Sequence, residues 1–271
     1  MKNPRARWIA VLLSMVPIAA ASVAAAGPLT LPQGKVNVAV NLEVNLTEDA
    51  VGKPTSIAPD LSYGVSDRAT LALVHSTVGI TGFRGSAGNG LCLSGEDGGC
   101  VSPYNNVGLE GRYALVSGTL SATADVGVHA LNLDAGFVSA KLGARVRYGE
   151  GKVAVTMMPS VLLAVTERSP EPGSPKNKDS LWIPVVATYK VTPEIGVGVA
   201  TGLKGPVDGF ADAWKVSLGV SATYAISPAI GVGGSWIFGQ IVGGVDDPPE
   251  PAPAANGPRY RAVHLWVSYT L

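Results

Sequence analysis

The chain has 271 residues, with 20 basic and 20 acidic side chains and a formal net charge of zero, a balance that argues against nucleic acid as a partner. Its 34 glycines and 20 prolines are high for a helical protein. Beyond the first 26 residues there is no unbroken apolar run of ~18 residues, so a helical membrane span is excluded.

Met1 to Ala26 reads as a secretory signal peptide. Lys2, Arg5 and Arg7 form a basic start, an apolar stretch runs from Trp8 to Ala20, and three alanines precede Gly27. Its shortness and its alanine ending weigh against an uncleaved anchor. Residues 27–271 then form one large β domain.

The first strand of that domain is the clearest. From Val36 to Leu46 every even position is aliphatic, and the odd positions between them are Asn, Ala or Glu. Strict period two over this length matches a tilted strand crossing a bilayer. The same sorting recurs over 57–65, 69–78, 106–115, 120–129, 138–148, 153–166, 181–190, 195–199, 214–224, 230–238 and 263–271, which predicts twelve strands. In the third the alternation drifts near Val74 and His75, so its upper half is expected to be bulged.

Connections alternate short and long. Tight turns are expected at 66–68, 116–118, 149–151, 192–194 and 227–229. Longer loops are expected at 47–55, 79–104, 131–136, 167–179, 204–212 and 240–258. This asymmetry predicts an all-β, transmembrane, antiparallel up-and-down barrel with both ends on the turn side. The proline-rich stretch 246–253 reads as a solvated, extended segment.

Six of the eight tyrosines repeat one position in this pattern. Tyr63, Tyr113, Tyr148, Tyr189, Tyr224 and Tyr269 each close an alternating run on its apolar face. A ring of amphipathic aromatics at one height is what a membrane–water interface selects. Trp214 and Phe238 are candidates for the opposite girdle. A soluble lipocalin-like barrel would need the reverse polarity, with the aliphatic face inside.

By these features the chain resembles bacterial outer-membrane β-barrel proteins along the whole of residues 27–271. The resemblance is carried by Tyr-Gly-Val-Ser-Asp-Arg (63–68), Tyr-Lys-Val-Thr-Pro (189–193), Tyr-Ala-Ile-Ser-Pro (224–228) and the ending His-Leu-Trp-Val-Ser-Tyr-Thr-Leu (264–271). The stretch 61–68 is also loosely similar to barrel proteins associated with phenol-degradation gene clusters. The resemblance implies the outer membrane of a Gram-negative bacterium, termini in the periplasm and contact with outer-membrane lipids. It further implies handling by the barrel-assembly machinery through the C-terminal strand. Such barrels usually end on an aromatic residue; here Leu271 is last, with Tyr269 on the same face.

Polar chemistry concentrates on the inward parity. Glu43, Asp60, Glu110 and Asp125 supply acids; Arg112, Lys141, Arg145, Arg147, Lys190 and Lys215 supply bases. Counting back from the turn near residue 117 places Glu110 beside Asp125 with Arg112 one diagonal away. The loop near 134 brings Lys141 and Arg145 diagonal to Asp125. One cluster, Glu110–Arg112–Asp125–Lys141–Arg145, is therefore expected. It reads either as a salt-bridge network fastening the wall or as a charged constriction that screens solutes. Bases towards the turn side favour a mild anion preference.

Cys92 and Cys100, the only cysteines, lie in a Gly/Ser-rich stretch. A disulfide is preferred over a metal site, because no histidine lies near. The loop that carries them, 79–104, is expected to fold over or into the mouth. No P-loop, zinc or calcium spacing is present, and no cofactor is expected. Catalysis finds little support. Of the three histidines, His264 reads as packed in the lumen, His75 lies on the uncertain strand, and His129 faces Ser139 near an outer mouth. The expected function is a narrow passive diffusion channel for small solutes. A closed structural or adhesive barrel with partner-binding loops is the alternative, ahead of a surface lipid hydrolase.

Overall fold

The computed structural model of the chain describes residues 29–48, 50–94, 99–100, 102–169, 175–244 and 260–271. The signal-peptide reading of 1–26 and the extended proline-rich reading of 246–253 lie outside the described residues.

In chain order the elements are β1 (Val36–Asn45), β2 (Thr55–Ser66), β3 (Ala69–Val74), α1 (Thr77–Thr81), β4 (Leu91–Cys92), β5 (Val107–Val116), β6 (Leu120–Asn132), β7 (Phe137–Glu150), β8 (Val153–Met157), β9 (Ser160–Ala164), β10 (Ser180–Lys190), β11 (Ile195–Pro206), α2 (Phe210–Ala213), β12 (Lys215–Ala225), β13 (Ile230–Gly243) and β14 (Arg261–Thr270). Each strand pairs antiparallel with its neighbours, and β1 pairs with both β2 and β14, so the sheet closes on itself. The result is a closed antiparallel barrel of twelve strands. Closure removes the unpaired edges that an open sheet would carry.

Two of the fourteen segments do not add to the count. β8 and β9 are one strand, since Met157 pairs with Val146 and Val185, and Ser160 continues the same register against Gly143 and Trp182. The ladder lapses at Pro159, which has no N–H to donate. β4 is a two-residue pairing with β2 inside a loop.

The third strand departs from expectation. It ends at Val74, four residues short of the expected 78. The Asp60 carboxylate on β2 captures the amides of His75 and Ser76, at 2.8 and 3.0 Å, which turns the backbone out of the ladder. Ser76 then caps the short helix α1 by accepting from Gly79 N at 2.9 Å. The chain from Ser76 to Gly90 therefore runs through the barrel interior instead of along its wall.

The polarity of the wall follows the period-two pattern. Leu142 is 53% and Val220 57% exposed on the outside. Glu43, Glu110, Thr123, His129 and His264 are wholly buried inside. The six tyrosines all face outward, 44–50% exposed, at the strand ends nearest the tight turns and the ends of β1 and β14. Phe238 stacks on Trp236 with ring centres 5.7 Å apart, while Trp214 is half-buried as the residue that ends α2. No helix among the described residues is long and apolar enough to cross a membrane.

Candidate functional site: the barrel lumen

Two polar constructions fill the interior. The first joins β5, β6 and β7. Glu110 meets Lys141 Nζ at 2.5 Å and Arg112 at 3.2 Å, and Arg145 reaches Asp125 at 2.6 Å and Glu110 at 3.7 Å. The five residues expected to cluster are thus brought together. One detail is corrected. Arg112, not Glu110, stands directly opposite Asp125, because the hairpin is centred nearer residue 119 than 117, with Val116 opposite Ala122, and the slip between Ala114 and Val116 takes back only part of that offset. Lys141 and Arg145 flank Gly143, the direct partner of Asp125, and so lie on its diagonals as expected.

His129 belongs to this network and escaped sequence reasoning. Its Nε2 lies 3.2 Å from Glu110 Oε1. The ring covers Gly108, its cross-strand partner, where a Cβ would sit 2.0 Å from Nδ1. Its inward parity with Asp125 was the available signal.

The second construction is the inward segment itself. Glu43 accepts from Thr77 N at 2.6 Å and from Thr77 Oγ1 at 2.8 Å, and Asp60 also accepts from the Ser76 hydroxyl. Lys141 Nζ donates to Gly79 O at 3.2 Å, which links the segment to the first cluster. Ile80 packs with Ala72, Val74 and Leu162, a small dry cluster inside the barrel. α1 ends at Gly82, where φ is 77° and a Cβ would lie 2.7 Å from Pro184, so both backbone and space require glycine. Phe83 meets Trp182 edge-on at 5.6 Å and covers Gly202. Further along, His264 Nε2 lies 2.8 Å from Ser86 O, and Ala87 N donates to the Tyr260 hydroxyl at 2.8 Å. Burial pushes that hydroxyl above the ordinary phenol range. Cys92 and Cys100 are joined by a disulfide with Cα atoms 5.8 Å apart. The expected entry of loop 79–104 into the barrel is thus present in its first half.

The acids expected to line the lumen therefore differ in setting. Glu43 and Asp60 are occupied by the inward segment, and Glu110 and Asp125 by basic side chains. Arg147 faces the interior opposite Ser121 and Thr156, and Lys190 lies on the same parity one residue beyond Tyr189. Lys215 stands across from Lys204. Lys204 and Arg84 are interior bases absent from the expected set. Lys204 Nζ lies 5.5 Å from the centre of the Trp182 ring, and the Arg84 guanidinium lies 3.8 Å over the Trp266 ring. A lone arginine just beyond Ile80–Phe83 was the only sequence hint of the latter.

Between the inward segment and the turn-side half of the wall lies a cavity of about 400 Å³. Met158, Pro184, Val186 and Ile237 contribute apolar wall; Thr188, Ser221 and Thr223 contribute hydroxyls. Leu29, from the segment preceding β1, also lines it. That segment crosses the inner faces of β2 and β3, with Leu31 N donating to Thr70 Oγ1 at 2.8 Å. Among the described residues no group of three metal-ligating side chains comes together.

The fold matches solved structures of outer-membrane channels. It superposes on the NanC porin with a TM-score of 0.58 at 10% identity, covering 86% of this chain and 100% of that one. For an outer membrane channel from Pseudomonas putida F1 the values are 0.55, 16%, 89% and 97%. For the KdgM porin they are 0.52, 8%, 86% and 98%. No family model and no curated protein sequence matches the chain. At such identities the likeness is one of fold, that of an outer-membrane β-barrel.

Proposed function

We propose that the protein is a narrow passive channel for small solutes in the outer membrane of a Gram-negative bacterium. Its turns and both ends of the barrel wall face the periplasm and its long loops face outward. The observation that carries this reading is the polarity of the closed sheet: an aliphatic face ringed by tyrosines outside, and charges within. In water that arrangement exposes too much apolar surface; in lipid the closed sheet pairs its backbone groups strand to strand and keeps the charge cluster of β5, β6 and β7 away from the acyl chains. Lipids are the outer partner, and the C-terminal strand β14, with Tyr269 on its outer face, is the part offered to the barrel-assembly machinery.

The ten inward acids and bases, with Arg84 and Lys204, set the filter. Bases outnumber acids, and the acids are already engaged, so the free field of the lumen is positive and favours anions modestly. Every histidine is engaged in packing: His75 with Tyr104 and Pro59, His129 with Glu110, and His264 with Ser86. His129 has Glu110 beside it and Ser139 on the facing strand, but among the described residues no hydrogen bond joins a histidine ring to a serine hydroxyl, which favours a non-enzymatic role.

One observation favours a closed structural barrel instead. The inward segment is tied to β1, β2, β7 and β14 and so spans the interior. Planar-bilayer recording of purified protein separates the two. Reproducible conductance steps support the channel, and silence supports the closed barrel.

A further inference from the structure

We infer that the 400 Å³ cavity is a binding site for a small amphipathic monoanion: a carboxylate on a short apolar body. The inference rests on the channel reading and names the class of solute that the channel takes.

Among the described residues two charged groups line the cavity, Arg84 and Arg147, and both are cationic. They approach from opposite sides. Arg147 projects from β7, and Arg84 reaches from the inward segment to β1 and β14. Arg84 is held in orientation before any ligand arrives. Its guanidinium lies 3.8 Å over the Trp266 ring, and one N–H reaches Asn41 Oδ1 at 3.5 Å. No other hydrogen bond engages it among the described residues; the Glu43 and Asp60 carboxylates act on it through space while their oxygens hold the inward segment, so its remaining N–H groups are open to an acceptor. Arg147 makes neither a hydrogen bond nor an ion pair with a described residue. Glu110 and Asp125 do not neutralise it, because Arg112, Lys141 and Arg145 already occupy them.

A planar, fixed guanidinium favours a planar two-oxygen anion, since a carboxylate takes two parallel N–H bonds from it. The rest of the wall selects the body of the solute. Most of it is apolar, from Phe83, Met158, Pro184, Val186 and Ile237. Of the hydroxyls present, Thr188 and Thr223 donate to the carbonyls of Ala154 and Gly196. A hydroxyl-rich solute would recover only part of its water bonds from the remaining hydroxyls, such as Ser221 and Ser235, and a cation would meet two like charges. The volume lies at the small end of the range for ligand pockets, roughly 300–1,000 Å³.

The test is a titration of the purified full-length protein with hexanoate, followed by tryptophan fluorescence, beside hexanol and hexylammonium. Saturable hexanoate binding is expected, with both analogues weaker by about tenfold or more, the cost of losing one charge-assisted pair. Arg84→Lys, which keeps the charge but not the planar fork, and Arg147→Gln should each weaken hexanoate by a similar factor. Arg147→Gln removes no internal bond, so it keeps the test available if Arg84→Lys does not fold. Hexanol binding as tightly as hexanoate, or unchanged affinity in Arg147→Gln, overturns the site. Bilayer steps from the same preparation without saturable binding sink the site and leave the channel. Arginine-dependent binding by a silent protein upholds the site and removes the channel.

Discussion

Glu43, on the wall of the barrel, holds both the amide and the hydroxyl of Thr77, at 2.6 and 2.8 Å. Together with the Asp60 bonds to His75 and Ser76, this pair of carboxylates turns what began as the third strand into a segment crossing the lumen. Both acids thereby serve as anchors for backbone N–H groups, and the charge left over in the interior is basic.

Loosening that anchor should open the lumen. Asp60→Ala removes the acceptor of two backbone amides, one hydroxyl and the Asn41 side-chain amide, bonds to a charged group that contribute about 1.5–3 kcal/mol each. Single-channel conductance should rise above that of the unmodified protein, and a protease added from the loop side should cut near residue 80 sooner. Unchanged conductance with unchanged cleavage would count against the anchoring role.

The cluster on β5, β6 and β7 should behave as one unit. Glu110→Gln leaves Lys141, Arg112 and Arg145 facing one another without their shared counter-charge. Removing one partner of a buried ion pair costs roughly 3–5 kcal/mol. A lower urea midpoint and a reversal potential shifted further towards anions are expected. A midpoint equal to that of the parent protein would mean that water screens the cluster fully.

Gly202 offers a local probe of the inward segment. A Cβ there would lie 2.4 Å from Phe83 Cζ, so Gly202→Ala must displace the ring. Overpacking of this kind costs about 1–3 kcal/mol. Gly149→Ala is the control, because its nearest neighbour would be Ala154 at an ordinary 3.5 Å. Thermal unfolding should separate the two substitutions, and the emission of Trp182 beside Phe83 should change only in the first. Equal melting would show that Phe83 is not seated on Gly202.

Reduction of Cys92–Cys100 should leave the barrel standing. The bridge closes a short loop, typically a matter of about 2–3 kcal/mol, and its described surroundings meet β2 over the short stretch Thr55, Ser56 and Ile57. Amide exchange should quicken at Leu91 and Cys92 while β1 and β14 keep their protection. Loss of protection throughout the sheet would contradict this.

Much of the wall was legible because a membrane barrel sorts residues by a period of two, and Val36–Asn45 or Tyr113 and Tyr224 need only parity to be placed. The Lys141–Asp125–Arg145 diagonals followed from counting back from the loop near residue 134, and the slip between Ala130 and Asn132 at the loop end leaves them in place. The position of Arg112 did not, since it depends on where the turn is centred and on a slip near Leu115, and neither leaves a mark in composition. The fate of residues 75–90 was equally hidden. It depends on Glu43 and Asp60 finding backbone amides distant in sequence, a tertiary choice that no local alternation encodes. Arg84 takes its place through Trp266, an aromatic from the last strand of the chain, and Lys204 takes its place between Trp182 on the facing strand and Phe83 of the inward segment.

The inside-out polarity of the barrel is tested most directly by quenching with lipids brominated along their acyl chains. Single-tryptophan variants retaining Trp236 on the outer face, or Trp266 in the lumen beside Arg84, are reconstituted in such lipid. Strong quenching of Trp236 with Trp266 spared is the expected result. Quenching of Trp266 with Trp236 spared, or of neither, would mean that the aliphatic face does not meet lipid and would contradict the channel at its foundation.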